Sequence, residues 1–201
     1  MGTVHIVDDD ESIRLSLDSL FRSVGLTTRL YGTTKDFLTA DLGQGPCCLV
    51  LDVRLPGQSG LDFQQQLVDR GTRIPVVMMT GHGDIPMSVR AMKAGAVDFL
   101  AKPFRDQEML DAVTTAIAND ETRRSLEKDE SELRARFETL SPRERQVMAL
   151  VTTGKMNKQV AGDLNLSEIT VKIHRGAAMR KMGARTFVDL VRMAETLRLT
   201  P

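Results

Sequence analysis

Three acids in a row, Asp8, Asp9 and Asp10, follow the run Val4 to Val7, and a fourth, Asp52, ends the run that begins at Cys47. Apolar runs this short read as buried strands of a parallel sheet, and the carboxyl edge of such a sheet is where side chains converge on a ligand. If the two strands are neighbours, at least three carboxylates crowd one edge. Two unit charges ~5 Å apart repel by roughly 3 kcal/mol at an effective dielectric of ~20, so the cluster requires a cation. Lys102, at the end of a further apolar run, supplies one. Hard carboxylate oxygens also suit a magnesium ion that keeps some of its waters. Thr80 ends another such run and adds a hydroxyl.

The elements needed to position these groups are legible as alternating signals. Strands are expected near residues 3–8, 26–31, 47–52, 75–80 and 97–101, with apolar residues at helical spacing between them, as in Ile13, Leu17, Leu20, Phe21 and Val24. Strand and helix in alternation imply βαβ units, hence an α/β fold with a doubly wound parallel five-stranded sheet over residues 1–119. Asp10 reads as the cap of the first helix. His5, inside a strand, reads as a structural histidine. The two cysteines, Cys47 and Cys48, are adjacent in a strand, so they point to opposite faces as core hydrophobes and form no disulfide framework.

Residues 120–136 are densely charged, with Leu126 and Leu133 as the apolar positions and neither proline nor glycine, which predicts a solvated helical linker. Residues 137–201 then read as a smaller all-α domain. Ser141-Pro142-Arg143-Glu144 carries a capping serine, a first-turn proline and a capping-box glutamate. A short helix from Asn157, a tight turn at Asn165-Leu166 and a longer helix from Ser167 to Gly183 make a helix-turn-helix candidate, followed by a helix capped by Thr186.

Net charge is zero over the 201 residues, yet it is unevenly distributed. Residues 1–120 hold 16 acids and 11 bases, whereas residues 138–201 hold 6 acids and 11 bases. A tail of net +5 points to nucleic acid as its partner. No apolar run approaches the ~18 residues that would span a bilayer, and no signal peptide is evident, so a cytoplasmic protein with no membrane partner is expected.

The acids after the first strand, Asp52, Thr80 and Lys102-Pro103 resemble the phosphoacceptor site of response-regulator receiver domains, over about residues 3–118. The resemblance implies a flavodoxin-like strand order 2-1-3-4-5, Asp52 as phosphoacceptor, and magnesium held by Asp9, by Asp8 through water, by Asp52 and by the backbone carbonyl of Arg54. It further implies that Lys102, aimed by a cis bond to Pro103, and Thr80 meet the phosphoryl oxygens. Phe99 matches the switch aromatic, and His82 and Arg54 match positions that influence dephosphorylation. The stretch Leu140 to Leu190 is similar to LuxR-type helix-turn-helix domains, and the combination resembles FixJ and NarL regulators, with GHGDIPMSVRAMKAGAVDFLAKPF closest to the FixJ subgroup.

In that comparison Lys172, Ile173 and Gly176 face base edges, Thr170 and Arg175 lie near the exposed side, and Lys158 and Lys181 are phosphate candidates. Val171, Ala178 and Met182 are expected in the core, and His174 packs inward. Gly162 and Gly176 depart from good helix formers, glycine costing up to about 1 kcal/mol against alanine. The implied function is transcriptional: a sensor histidine kinase phosphorylates Asp52, the protein dimerises through its receiver, and promoter DNA is bound for activation, with RNA polymerase as a further candidate partner. Such a protein is not an enzyme beyond accepting, and hydrolysing, its own phosphoryl group. Two rivals are a magnesium-dependent aspartyl-phosphate phosphatase, whose pattern wants an acid where Arg54 stands, and a receiver that serves interaction alone.

Overall fold

A computed structural model describes residues 2–81 and 85–199, in two compact units, 1–124 and 125–201. In chain order the first unit holds β1 (Thr3–Val7), α1 (Glu11–Ser23), β2 (Thr27–Tyr31), α2 (Thr34–Leu38), β3 (Cys47–Asp52), β4 (Arg54–Leu55), β5 (Gln58–Ser59), α3 (Gly60–Asp69), β6 (Val76–Thr80), α4 (Ile85–Lys93), β7 (Asp98–Ala101) and the start of α5 (Asp106–Glu138). The main sheet is parallel with order β2-β1-β3-β6-β7, the arrangement that the resemblance implies. The tiny antiparallel pair β4-β5 flanks the Pro56-Gly57 turn, where the sequence suggests a turn alone.

The central strands β1, β3 and β6 are buried on both faces, which is why they read as unbroken apolar runs, whereas the edge strands β2 and β7 are partly exposed. On β3, Cys47, Leu49 and Leu51 pack with Phe37 of α2 and Phe63 and Leu67 of α3. Cys48 and Val50 face the other way, toward Leu17 and Phe21 of α1 and Met109 and Val113 of α5. The cysteines thus belong to opposite cores, and both are free thiols. His5 is fully buried and bonds Tyr31 Oη through Nδ1 at 3.0 Å, and burial lowers its pKa to about 4, so it is a neutral core group.

The charged stretch from residue 120 is helical, but it does not begin as solvated linker. Asp120 has no exposed surface, and its carboxylate accepts from the Cys47 N–H at 2.9 Å while pairing with Arg123 and Arg124 at 2.5 and 2.6 Å. Arg124 also reaches the Gln44 carbonyl at 3.3 Å. This network ties α5 to the amino end of β3 and extends the first unit to Arg124. Burial alone would raise the Asp120 pKa, but the bonds from Arg123, Cys47 N–H and Arg124 outweigh it and hold the carboxyl low.

Asp120→Ala is therefore expected to destabilise the first unit by about 3 kcal/mol, since it strips a buried charge from its partners. Tyr31 is the only tyrosine and there is no tryptophan, so tyrosine fluorescence in a urea titration reports this unit selectively. Because the folded pKa is depressed, the stabilisation is complete above the unfolded value of ~3.9 and is lost as pH falls through the folded one. A loss under ~1 kcal/mol at pH 7 would contradict the role given to Asp120.

The second unit contains α6 (Pro142–Thr152), α7 (Asn157–Leu164), α8 (Glu168–Met182) and α9 (Phe187–Thr196). Ser141 and Glu144 form the expected capping box, with Ser141 N–H donating to Glu144 Oε2 at 2.7 Å. The turn between α7 and α8 passes through Asn165 at φ +53°, a conformation asparagine tolerates. Val171, Ala178 and Met182 of α8 enter the core with Val147, Val151, Val160 and Leu190, as their spacing implies. Leu133 and Phe137, late in α5, pack against that core, whereas Leu126 is exposed. Among the described residues no helix is long and apolar enough to cross a membrane.

Candidate functional site

Register brings the acids together. β1 and β3 pair with Val7 opposite Leu51, so Asp8 and Asp52 leave the sheet side by side at its carboxyl edge. Lys102, just beyond β7, extends its ammonium between them, 2.7 Å from Asp52 Oδ1 and 2.8 Å from Asp8 Oδ2. Its backbone N–H donates to the Thr80 carbonyl at 2.7 Å, and the Lys102-Pro103 bond is cis. The remaining oxygens are also held: Asp52 Oδ2 accepts from Arg54 N–H at 2.6 Å, and Asp8 Oδ1 accepts from Asp10 N–H at 2.9 Å. Arg14 Nη1 donates to the Asp8 carbonyl at 2.6 Å, a support that nothing in the sequence pattern singles out.

Asp52 is 4 % exposed. Its burial pushes the carboxyl pKa up, and the bonds from Lys102 and Arg54 offset this only in part. Burial would lower the Lys102 pKa, yet its bonds to Asp52 and Asp8 hold it raised. The pair is thus a desolvated carboxylate beside a cation that stays charged. That combination gives a basic, oriented oxygen and a ready partner for an incoming anion. Gly60 closes the site from below: its N–H bonds the Val53 carbonyl at 2.8 Å, and a Cβ at this position would lie 2.1 Å from the Asp52 carbonyl oxygen.

Thr80 is fully buried at the end of β6, and Phe99, half-buried on β7, packs with Met87 against the same core as Ala91 of α4. Asp9 is exposed and, with Arg54, Pro56, Ser59 and Met87, lines a cavity of about 520 Å³. Asp10 caps α1 by accepting from Ser12 N–H at 2.8 Å. His82 lies outside the described residues. Among the described residues no three acidic, histidine or cysteine side chains converge as a ligand group, since Lys102 draws Asp8 and Asp52 to itself. The donor chemistry of Asp8, Asp9, Asp52 and the Arg54 carbonyl nevertheless fits magnesium, all being hard oxygen, and Asp9 and Arg54 line a cavity with room for water.

On the second unit Lys158, Lys172 and Ile173 are exposed, and Thr170 and Gly176 are half-buried. Two of the basic residues expected to meet DNA also have partners within the unit. Arg175 lies 4.4 Å over the Phe187 ring, with Nη1 3.5 Å from Asn157 Oδ1, so it braces α7, α8 and α9. Lys181 bonds Glu144 Oε2 at 2.7 Å and the Thr139 carbonyl at 3.2 Å. His174 is half-buried.

Residues 4–114 match the response regulator receiver domain family, and residues 138–194 match the family of bacterial regulatory proteins, luxR family. The chain is 58% identical to "Nodulation protein W" of Bradyrhizobium diazoefficiens over 96% of its own length and 86% of that protein. It is 43% identical to "Transcriptional regulatory protein FixJ" of Rhizobium meliloti, covering 96% of this chain and 94% of that one. The solved structure of the response regulator StyR superposes with a TM-score of 0.86 at 44% identity, over 96% of this chain and 98% of that one. The chain therefore belongs to the two-component response regulators that join a receiver domain to a LuxR-type DNA-binding domain.

Proposed function

We propose that Asp52 is the phosphoacceptor and that its phosphorylation by a sensor histidine kinase controls promoter binding in the cytoplasm. The observation that carries this reading is the Lys102 ammonium held between Asp52 and Asp8 at the sheet edge. In the transfer, an Asp52 oxygen attacks phosphorus, the bond to the donor nitrogen breaks, and Lys102 exchanges a carboxylate contact for a phosphoryl oxygen. Asp8, Asp9, Asp52 and the Arg54 carbonyl would hold magnesium, which supplies charge neutralisation at the phosphoryl group when bound. Positioning and electrostatics do the remaining work, as in phosphoryl transfer generally. A cavity of about 550 Å³ lined by Ser12, Ser16, Leu17, Lys102, Pro103 and Phe104 gives the kinase a surface beside the site. Loss of the group by hydrolysis ends the signal, and the chain turns over no other substrate. Arg54, standing where a phosphatase of the haloacid dehalogenase type wants an acid, supports this over the enzymatic rival.

Thr80 donates its hydroxyl to the phosphoryl group, and Phe99 turns inward into the space released, which remodels the face formed by α4, β7 and α5. Met87, Lys93, Ala94 and Asp111 belong to this face, and exposed Ile85, Val89 and Met92 give it an apolar strip. Arg90 is paired with Asp62 of α3 at 2.5 Å, so it joins the face only by leaving that partner. An apolar strip amid charge suits a reversible dimer, and two DNA-binding domains cover two half-sites. Promoter activation then follows from the pair, with RNA polymerase as the partner downstream. Light scattering with magnesium and beryllofluoride should show monomer converting to dimer. A monomer at tens of micromolar in both states would contradict phosphorylation-driven pairing.

A further inference from the structure

The recognition helix α8 carries two large apolar side chains that its own domain leaves in water. Ile169 is 74% exposed and Ile173 63% exposed, one turn apart on the side away from Val171, Ala178 and Met182. Between them in sequence stands exposed Lys172. One turn further on, Gly176 presents no side chain, and a Cβ added there would meet only the tip of Arg180, at 3.6 Å. Arg175, the other long polar residue in this stretch, is occupied by Phe187 and Asn157. The face thus offers one ammonium and two isoleucines, with the exposed Arg180 guanidinium lying over Gly176 at its far end.

Residues 138–201 carry 6 acids and 11 bases, so the occupant complementary to this domain is a polyanion. In the major groove of DNA the apolar group on a base edge is the thymine C5 methyl. We propose that Ile169 and Ile173 each read a thymine methyl, which makes them specificity-determining residues; the inference rests on α8 being the helix that enters the groove. Residues four apart on a helix have Cβ atoms about 6 Å apart, and successive bases rise ~3.4 Å, so the two thymines stand about two steps apart. Lys172, between the isoleucines, supplies the polar contact at the same patch.

The test uses the full-length chain with magnesium and beryllofluoride. Duplexes are first selected from a random-sequence pool, and each thymine of the selected site is then replaced by deoxyuridine, which removes the methyl alone. Two thymines per half-site, about two steps apart, should each lose about fourfold in affinity on replacement. Ile169→Ala should abolish that sensitivity at one of them and Ile173→Ala at the other, while both variants keep the salt dependence of binding. Both side chains are exposed, and the deoxyuridine scan of the unaltered protein needs no variant. Uracil tolerated at every position, with salt-dependent and sequence-selective binding intact, would overturn the isoleucine readout alone. Failure to enrich any duplex would overturn the DNA-binding reading and this inference with it.

Discussion

Alanine at Gly60 should destabilise the first unit by about 3 kcal/mol or more and abolish phosphorylation of Asp52. The new Cβ would sit 2.1 Å from the Asp52 carbonyl oxygen and 3.0 Å from Val53 Cα, both backbone atoms, so no flexible side chain can move aside. Relief requires α3 to retreat from β3, breaking the Gly60–Val53 bond, or the Asp52 peptide to rotate. Either motion takes the Asp52 carboxylate away from Lys102 and from the Arg54 N–H. Gly57, three residues earlier, provides the contrast: a Cβ there meets nothing within 4 Å, but its φ of +83° makes alanine strained. Gly57→Ala should therefore cost only about 1 kcal/mol and leave phosphorylation largely intact. Urea unfolding followed by Tyr31 fluorescence, with label incorporation from acetyl phosphate, separates the two. A Gly60→Ala protein within 1 kcal/mol of wild type and fully labelled would contradict the close approach.

The central strands were legible because burial on both faces leaves unbroken apolar runs, and Asp52, Thr80 and Lys102 stand out as polar residues at strand ends. Sheet order came from the resemblance and from handedness, not from any pairing signal in the residues. The caps at Asp10, Ser141 and Thr186 were legible because serine, threonine and aspartate before an apolar-periodic run have a local purpose, and each accepts the expected backbone N–H. Asp120 was not. A buried aspartate within DETRR has the composition of a solvated segment, and its purpose depends on Cys47, 73 residues away.

The basic residues of the tail show the same limit. Lys158, Lys172, Arg175 and Lys181 are equivalent as charges in a sequence, yet Lys181 pairs with Glu144 and Arg175 stacks on Phe187. Cation–π and capping contacts depend on how three helices pack, which spacing along one helix does not reveal. Ile169 shows the converse. Its exposure follows from the phase of α8 set by Val171 and Ala178, and apolarity alone would have assigned it to the core. The close approach of Gly60 was half-visible: PGQSG places two glycines around a turn, but only the structure distinguishes the one that needs a positive φ from the one that needs space.

Phosphorylation of Asp52 is the claim on which the switch, the dimer and the DNA readout all depend. Among the described residues Asp8 and Asp52 are the acids that touch Lys102, and Asp52 is the one that ends β3, the central strand of the sheet. Replacing Asp52 with asparagine keeps the shape and removes the nucleophilic oxygen, so all label should disappear. The direct measurement incubates wild type and Asp52→Asn with radiolabelled acetyl phosphate and magnesium, then counts acid-stable, base-labile phosphate on each. The account predicts about one phosphoryl group per wild-type chain and none on Asp52→Asn; equal labelling of the two proteins would contradict it.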